Sequence, residues 1–249
     1  MDTTKCLKAE LWKNFSSTDY SAEWDGCVYG GGKISQRFWE YFSCIELMNL
    51  SRDSVLLDIG GGSPATGIGF FSMLVHKFIK QVIIIDPNIN KEIRLPPNVI
   101  VFKEFAEAEN LQKLFQLHPD VTHVAAISVF EHMDSPTREG LIRTVDNYFS
   151  GGFFVATFEY HSKRCYFENQ LTCASAGSLL GRFNNFYLTK YLSSPVWCEN
   201  AYGNPVAYLQ SRRFYTILPQ RLKLFIERIL DIDVPQWYPV AVKFERIES

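Results

Sequence analysis

Cysteine is sparse and scattered in this sequence. The six thiols stand at positions 6, 27, 44, 165, 173 and 198, with no pair at CxxC spacing. That spacing argues against a structural zinc site and against a disulfide scaffold. Reduced thiols acting as small buried hydrophobes are expected, and with them a cytoplasmic setting. Charge of one sign is also scarce. The formal net charge is −2 over 249 residues, so nothing advertises a phosphate backbone as partner, and nucleic acid is not expected. The short basic clusters Lys163-Arg164 and Arg212-Arg213 read as solvated surface. No stretch approaches the ~18 apolar residues of a membrane span. The first residues alternate Asp2, Lys5, Lys8 and Glu10 without an apolar run, so no signal peptide is expected. Internal repeats and low-complexity linkers are missing too, and no acidic spacing points to a metal.

What is present is a globular composition, 47% hydrophobic and 21% charged, with 15% aromatic residues. The amount suits one α/β domain with an elaboration. Ser54-Val55-Leu56-Leu57-Asp58-Ile59 is a short apolar run that stops at Gly60-Gly61-Gly62, so it reads as a buried strand and a turn. A helix is expected from about Ala65 to Lys80, with Pro64 in its first turn. Further strands are expected at 81–85, 99–102, 121–129, 153–158 and 240–247. Helical patterns lie between them, around Leu111 to Phe115 and from Ser135 to Phe149. Ser35 caps an expected helix running to about Asn49. Pro219 starts another. Strands alternating with helices predict a mostly parallel, doubly wound α/β sheet whose ligand sits at the carboxyl ends of the strands. The expected organisation is an N-terminal helical and aromatic segment (1–50), a cofactor-binding domain (51–160 and 218–249) and a substrate-side cap (161–217).

The chemistry concentrates at Asp58-Ile59-Gly60-Gly61-Gly62. A tight strand-to-helix turn uses glycine where φ must be positive or a ligand comes close, and a following helix presents free N–H groups. Two cofactor classes fit. Gly60, Gly62 and Ala65 satisfy GxGxxA, and Asp86 lies 86 − 60 = 26 positions past the first glycine, as a dinucleotide site requires. Against it, Asp58 puts a negative charge where a pyrophosphate would lie. A cofactor carrying an ammonium would welcome that carboxylate.

The order of these features resembles the class I S-adenosylmethionine-dependent methyltransferases. Their first motif is similar to Val55-Leu56-Leu57-Asp58-Ile59-Gly60-Gly61-Gly62. Their second strand ends in an acid, here Asp86. Their fourth strand runs into a loop similar to Ile127-Ser128-Val129-Phe130-Glu131-His132-Met133. A helix, a Gly151-Gly152 turn and a strand follow. The resemblance spans about residues 50 to 160 and departs from the family where Pro64 replaces a third glycine. It implies a seven-stranded Rossmann-like sheet and S-adenosylmethionine as cofactor. Gly60 and Gly62, with Gly61 between them, would let the backbone approach the methionine moiety. Asp58 would help hold its ammonium, and Asp86 would accept from the ribose hydroxyls. Pro87 and Asn88 would border the adenine, with Glu104, Phe105 and Glu107 as candidates for its amino group. Ser128 and Phe130 would line the pocket near the sulfonium. His132 and His161, following the fourth and fifth strands, are the candidate general bases. The expected acceptor is a small molecule, a sugar or natural product with a hydroxyl or amine. RNA or protein methylation, an NAD(P)-dependent oxidoreductase and an inactive cofactor-binding module remain the alternatives.

Overall fold

A computed structural model describes residues 2–16, 36–63, 67–89, 94–161, 169, 171–193 and 237–247. The Gly30-Gly31-Gly32 loop, Pro64, Ala65, most of the expected cap and the expected helix from Pro219 lie outside the described residues.

Among the described residues two helices come first, α1 (Thr3–Ser16) and α2 (Gln36–Met48). Then come β1 (Val55–Ile59), a small hairpin of β2 (Gly62–Ser63) and β3 (Gly67–Ile68), and α3 (Phe70–Val75). The alternation continues through β4 (Gln81–Ile85), β5 (Val99–Phe102), α4 (Ala108–Leu117), β6 (His123–Ile127), α5 (Ser135–Tyr148) and β7 (Phe153–His161). Last are β8 (Leu171–Thr172), α6 (Cys173–Leu180), β9 (Phe186–Ser193) and β10 (Trp237–Arg246).

The main sheet runs β5-β4-β1-β6-β7-β10-β9, with β8 added beside β7. Its first five strands are parallel neighbours, whereas β10 is antiparallel to both β7 and β9. Side-chain alternation explains why the central strands read as continuous apolar runs: both faces are covered. Val55, Leu57 and Ile59 join a core with Leu111, Leu114, Leu141 and Val145 of α4 and α5. Leu56 faces the other way, into a core with Leu7, Leu11, Ile45, Met48, Phe71 and Leu74 of α1, α2 and α3. Asp58 shares the parity of Leu56, so its carboxylate lies on the α2–α3 side.

Several local signals are realised. Asp134 caps α5 by accepting from the Thr137 N–H at 2.9 Å. Past the end of α2, Asn49 takes a left-handed φ of 52°. Two expectations are corrected. The helix expected over 65–80 is only Phe70–Val75, preceded by the β2–β3 hairpin. Gly67, at φ 79°, and Gly69 disfavour an early helical turn, and the Gly69 N–H donates to the Gly61 carbonyl at 2.7 Å instead. The stretch 161–217 is not wholly a cap, because β9 is an edge strand of the main sheet. Its pairing with β10 shifts between Lys243 and Phe244. Most of its side chains are exposed, so the clean alternation that marks a strand is missing.

His123 locks the amino end of β6 to the carboxyl end of α2. Its Nε2 lies 3.0 Å from the Met48 carbonyl and its Nδ1 2.8 Å from the Thr122 hydroxyl. Burial pushes its pKa from 6.5 down to about 4. Between those values the unfolded chain binds a proton that the folded protein does not. The contribution is therefore whole above pH 6.5 and is lost as pH falls towards 4. Replacing His123 with Gln is expected to flatten the acid limb of a plot of melting temperature against pH in that window. A difference between variant and wild type that does not change with pH would refute this.

Candidate functional site

The carboxyl ends of β4, β1 and β6 meet at one edge, and the turn after β1 lies between the other two. Gly60 sits at φ 72° and donates its N–H to the Ile85 carbonyl at 2.9 Å, tying the turn to the end of β4. A Cβ there would come within 2.5 Å of Val129 Cγ2. At Gly61 it would meet Asp58 Oδ2 at 2.4 Å, and at Gly62 the Asp86 carboxyl carbon at 2.4 Å. The protein's own neighbours therefore already require each glycine.

The two aspartates flank this turn. Asp86, 7% exposed, accepts from the Gly62 N–H at 3.0 Å and the Asn88 N–H at 2.7 Å. The second contact closes a local turn containing Pro87 and Asn88. Each oxygen keeps a further lone pair for another donor. Asp58 is 2% exposed and lies beneath Gly61, accepting from the Ser72 hydroxyl at 2.5 Å. Burial raises its pKa from 3.8 to about 7; the Ser72 hydrogen bond opposes the rise and the charge of Asp86 adds to it.

Ser128 closes the other side. It holds a left-handed φ of 49°, and its N–H donates to the Thr157 carbonyl at 2.9 Å and hydroxyl at 3.1 Å. Its own hydroxyl donates to Glu40 Oε1 at 2.5 Å. Glu40, fully buried on α2, was not among the residues expected from sequence. The available signal was a charged residue amid Phe38, Trp39, Tyr41 and Phe42, one helical turn before Cys44. Burial, then the charges of Glu40 and Asp58, push the Cys44 thiol well up.

The remaining expected residues are placed differently. The Phe130 ring is fully buried, with centroids 5.9 Å from Phe158 and 6.4 Å from Phe154, and packs in the core with α5. It does anchor the short 3₁₀ turn Phe130–His132, on which His132 is exposed. His161 ends β7 opposite Trp237, and its side chain lies outside the described part. Phe105 is 64% exposed in the loop after β5, and Glu104 and Glu107 are exposed there as well. Among the described residues no group of three or more His, Cys, Asp or Glu side chains is placed to hold a metal ion. No described helix is long and apolar enough to cross a membrane.

The strand order separates two cofactor classes. A dinucleotide-binding sheet of the common type runs 3-2-1-4-5-6. Here an antiparallel strand is inserted between the fifth and sixth. The helix after the glycine turn starts at Phe70, beyond a hairpin, and its N-cap Gly69 donates to the Gly61 carbonyl at 2.7 Å.

No protein-family description matches the sequence, and no curated protein matches it. Solved structures do match. One is the N-methyltransferase NodS from Bradyrhizobium japonicum WM9 in complex with S-adenosyl-L-homocysteine. It has 12% identity and a TM-score of 0.51, over 100% of both chains. Another is the [4+2]-cyclase SpnF, with 9% identity and a TM-score of 0.53 over 100% of this chain and 97% of that one. A third is the Haemonchus contortus phosphoethanolamine N-methyltransferase 2 with S-adenosyl-L-methionine, with 9% identity and a TM-score of 0.52. It is matched over 97% of this chain and 60% of that one. The chain thus has the fold of the class I S-adenosylmethionine-dependent methyltransferases: a Rossmann-like α/β fold with a mostly parallel central sheet.

Proposed function

We propose that the chain is an S-adenosylmethionine-dependent methyltransferase acting on a small molecule, through a hydroxyl or amine of a sugar or natural product. The observation that carries the reading is the acidic setting of the glycine turn. Asp58 and Asp86 flank it and Glu40 lies behind Ser128. Enclosed carboxyl groups disfavour a pyrophosphate and favour a cofactor bearing an ammonium and a sulfonium. That pattern fits the donor and speaks against an NAD(P)-dependent oxidoreductase.

In this reading Asp86 accepts from the ribose hydroxyls with its spare lone pairs, while Gly62 and Asn88 hold it in place. Pro87, Asn88 and the exposed Phe105 border the adenine. The Gly60–Gly62 turn underlies the methionine moiety, and Asp58 supplies negative potential from below. Ser128 stands near the sulfonium, and Phe130 contributes only by anchoring its loop. When bound, the cofactor supplies an electrophilic methyl group for in-line displacement. The chain's part is to align the acceptor and exclude water. His132 and His161 are the candidates to take a proton from a hydroxyl acceptor. The expected cap, most of which lies outside the described residues, is the proposed acceptor side, and the cytoplasm is the proposed setting. The test is release of S-adenosylhomocysteine from S-adenosylmethionine in pools of small amines and alcohols. RNA or a histone-type peptide as the only productive acceptor would redirect the assignment. A second reading, a cofactor-binding protein without methyl transfer, is favoured by one observation: a neighbour of this fold, SpnF, is a [4+2]-cyclase. It expects binding with no turnover on any acceptor.

Asp58 makes the binding pH-dependent. Its folded pKa of about 7 leaves it partly protonated at neutral pH, and an arriving ammonium favours the ionised form. Affinity for S-adenosylhomocysteine is expected to rise several-fold from pH 6 to pH 8, with proton uptake by the buffer near pH 7. Calorimetry in buffers of different ionisation enthalpy reads this directly. Asp58→Asn, which keeps an acceptor for Ser72, is expected to abolish the proton release. An unchanged proton count in the variant would contradict the assignment.

A further inference from the structure

The cofactor's amino-acid end has to find its partners on one side of the turn, and the strand order says which side. Going from Asp86 on β4, across β1, to Ser128 on β6 crosses two strand spacings, roughly 10 Å. With the ribose at Asp86, a ligand of the proposed kind extends over Gly60–Gly62 and brings its amino acid towards Ser128. The aspartate expected to meet the ammonium is turned away: Asp58 lies under Gly61 and is engaged by the Ser72 hydroxyl. Glu40, fully buried on α2, is another carboxyl group at that end, and it accepts from the Ser128 hydroxyl. Ser128 is itself fixed by two bonds to Thr157, in a backbone conformation that non-glycine residues seldom adopt. A functional group held this firmly at a strand end is a preorganised acceptor.

We propose that Glu40 of α2, oriented by Ser128, is the group that receives the cofactor's α-ammonium, so that α2 is part of the binding site as well as a support for the sheet. This rests on the cofactor reading above. A cation delivered to a carboxyl group enclosed by protein is little screened by solvent or salt, so Glu40 contributes more than a surface acid would. Asp58 then acts through its field and through the loop it props.

The test compares two probes that share the adenosyl thioether. S-adenosylhomocysteine carries the amino acid, and 5′-methylthioadenosine lacks it. Titration calorimetry is run on the wild type, on Glu40→Gln and on Ser128→Ala. Glu40→Gln keeps the shape and an oxygen acceptor for Ser128 but removes the charge. It is expected to weaken S-adenosylhomocysteine at least ~10-fold and leave 5′-methylthioadenosine within about twofold, since a charge-assisted hydrogen bond accounts for that much. Ser128→Ala is expected to give a smaller loss of the same selective kind. Equal weakening of both probes, or no change in either, would overturn the proposal, because a merely structural role moves both together. Binding of 5′-methylthioadenosine also reports that the variant is folded. A wild type that binds neither probe would remove the cofactor reading, and this inference with it.

Discussion

Asp86→Ala is expected to lower affinity for S-adenosylhomocysteine by about two orders of magnitude. Two effects add. The side chain is the acceptor proposed for the ribose hydroxyls, and hydrogen bonds to a charged group contribute about 1.5–3 kcal/mol each. It also satisfies the Gly62 and Asn88 N–H groups from a position only 7% exposed. Removing it leaves those donors without their acceptor and frees the turn that underlies the ligand. Asp86→Asn separates the two effects. An amide has one oxygen and presents N–H towards one of two groups that themselves donate, so it is expected to bind little better than Ala. Calorimetry checks both variants. Binding by Asp86→Ala within threefold of wild type would mean that the ribose sits elsewhere.

Gly60→Ala is expected to be strongly destabilising, because two costs coincide there. Its φ of 72° is in the left-handed region, which costs an L-residue about 1–2 kcal/mol. The new Cβ would also stand 2.5 Å from Val129 Cγ2, and overpacking in a closed site costs about 1–3 kcal/mol. A total of about 3 kcal/mol corresponds to a fall in Tm of roughly 6–12 °C for a domain of this size. The double variant Gly60→Ala, Val129→Ala relieves the overlap and leaves the backbone strain. It is expected to recover part of the deficit, measured as a favourable coupling in a double-mutant cycle. Losses that simply add would show that the side chains do not meet.

The legibility of this site in the sequence follows distance along the chain. Asp58, the three glycines and Asp86 were readable because each stands directly at the end of an apolar strand, and strand parity and turn chemistry are local properties. The sheet's parallel half was readable for the same reason. Glu40 was not, because its partner Ser128 is 88 positions away and only the packing of α2 on the sheet brings them together. The β2–β3 hairpin was missed because the apolar spacing of Ile68, Phe71, Leu74 and Val75 is helical, although Gly67 and Gly69 break its first turns. Strand β9 was missed because it is an edge strand with a pairing irregularity and mostly solvated side chains. The burial of Phe130 was not readable either, because which way a ring points from a 3₁₀ turn is decided by Phe154 and Phe158, on a strand that comes later in the chain.

The role of the glycines also changed meaning. Sequence suggested that they make room for a ligand, whereas the structure shows Gly61 resting on Asp58 and Gly62 resting on Asp86. The loop and its two acids are one packed unit. The acids therefore matter twice, as the electrostatic identity of the site and as the supports of the backbone that shapes it.

The most direct test of the cofactor assignment is titration of the wild-type protein with S-adenosylhomocysteine beside NADH at pH 8, where Asp58 is mostly ionised. Binding of the thioether in the micromolar range, with no heat from NADH, is the predicted result. Binding of NADH without the thioether would contradict the account, and an oxidoreductase would then have to be sought on this fold.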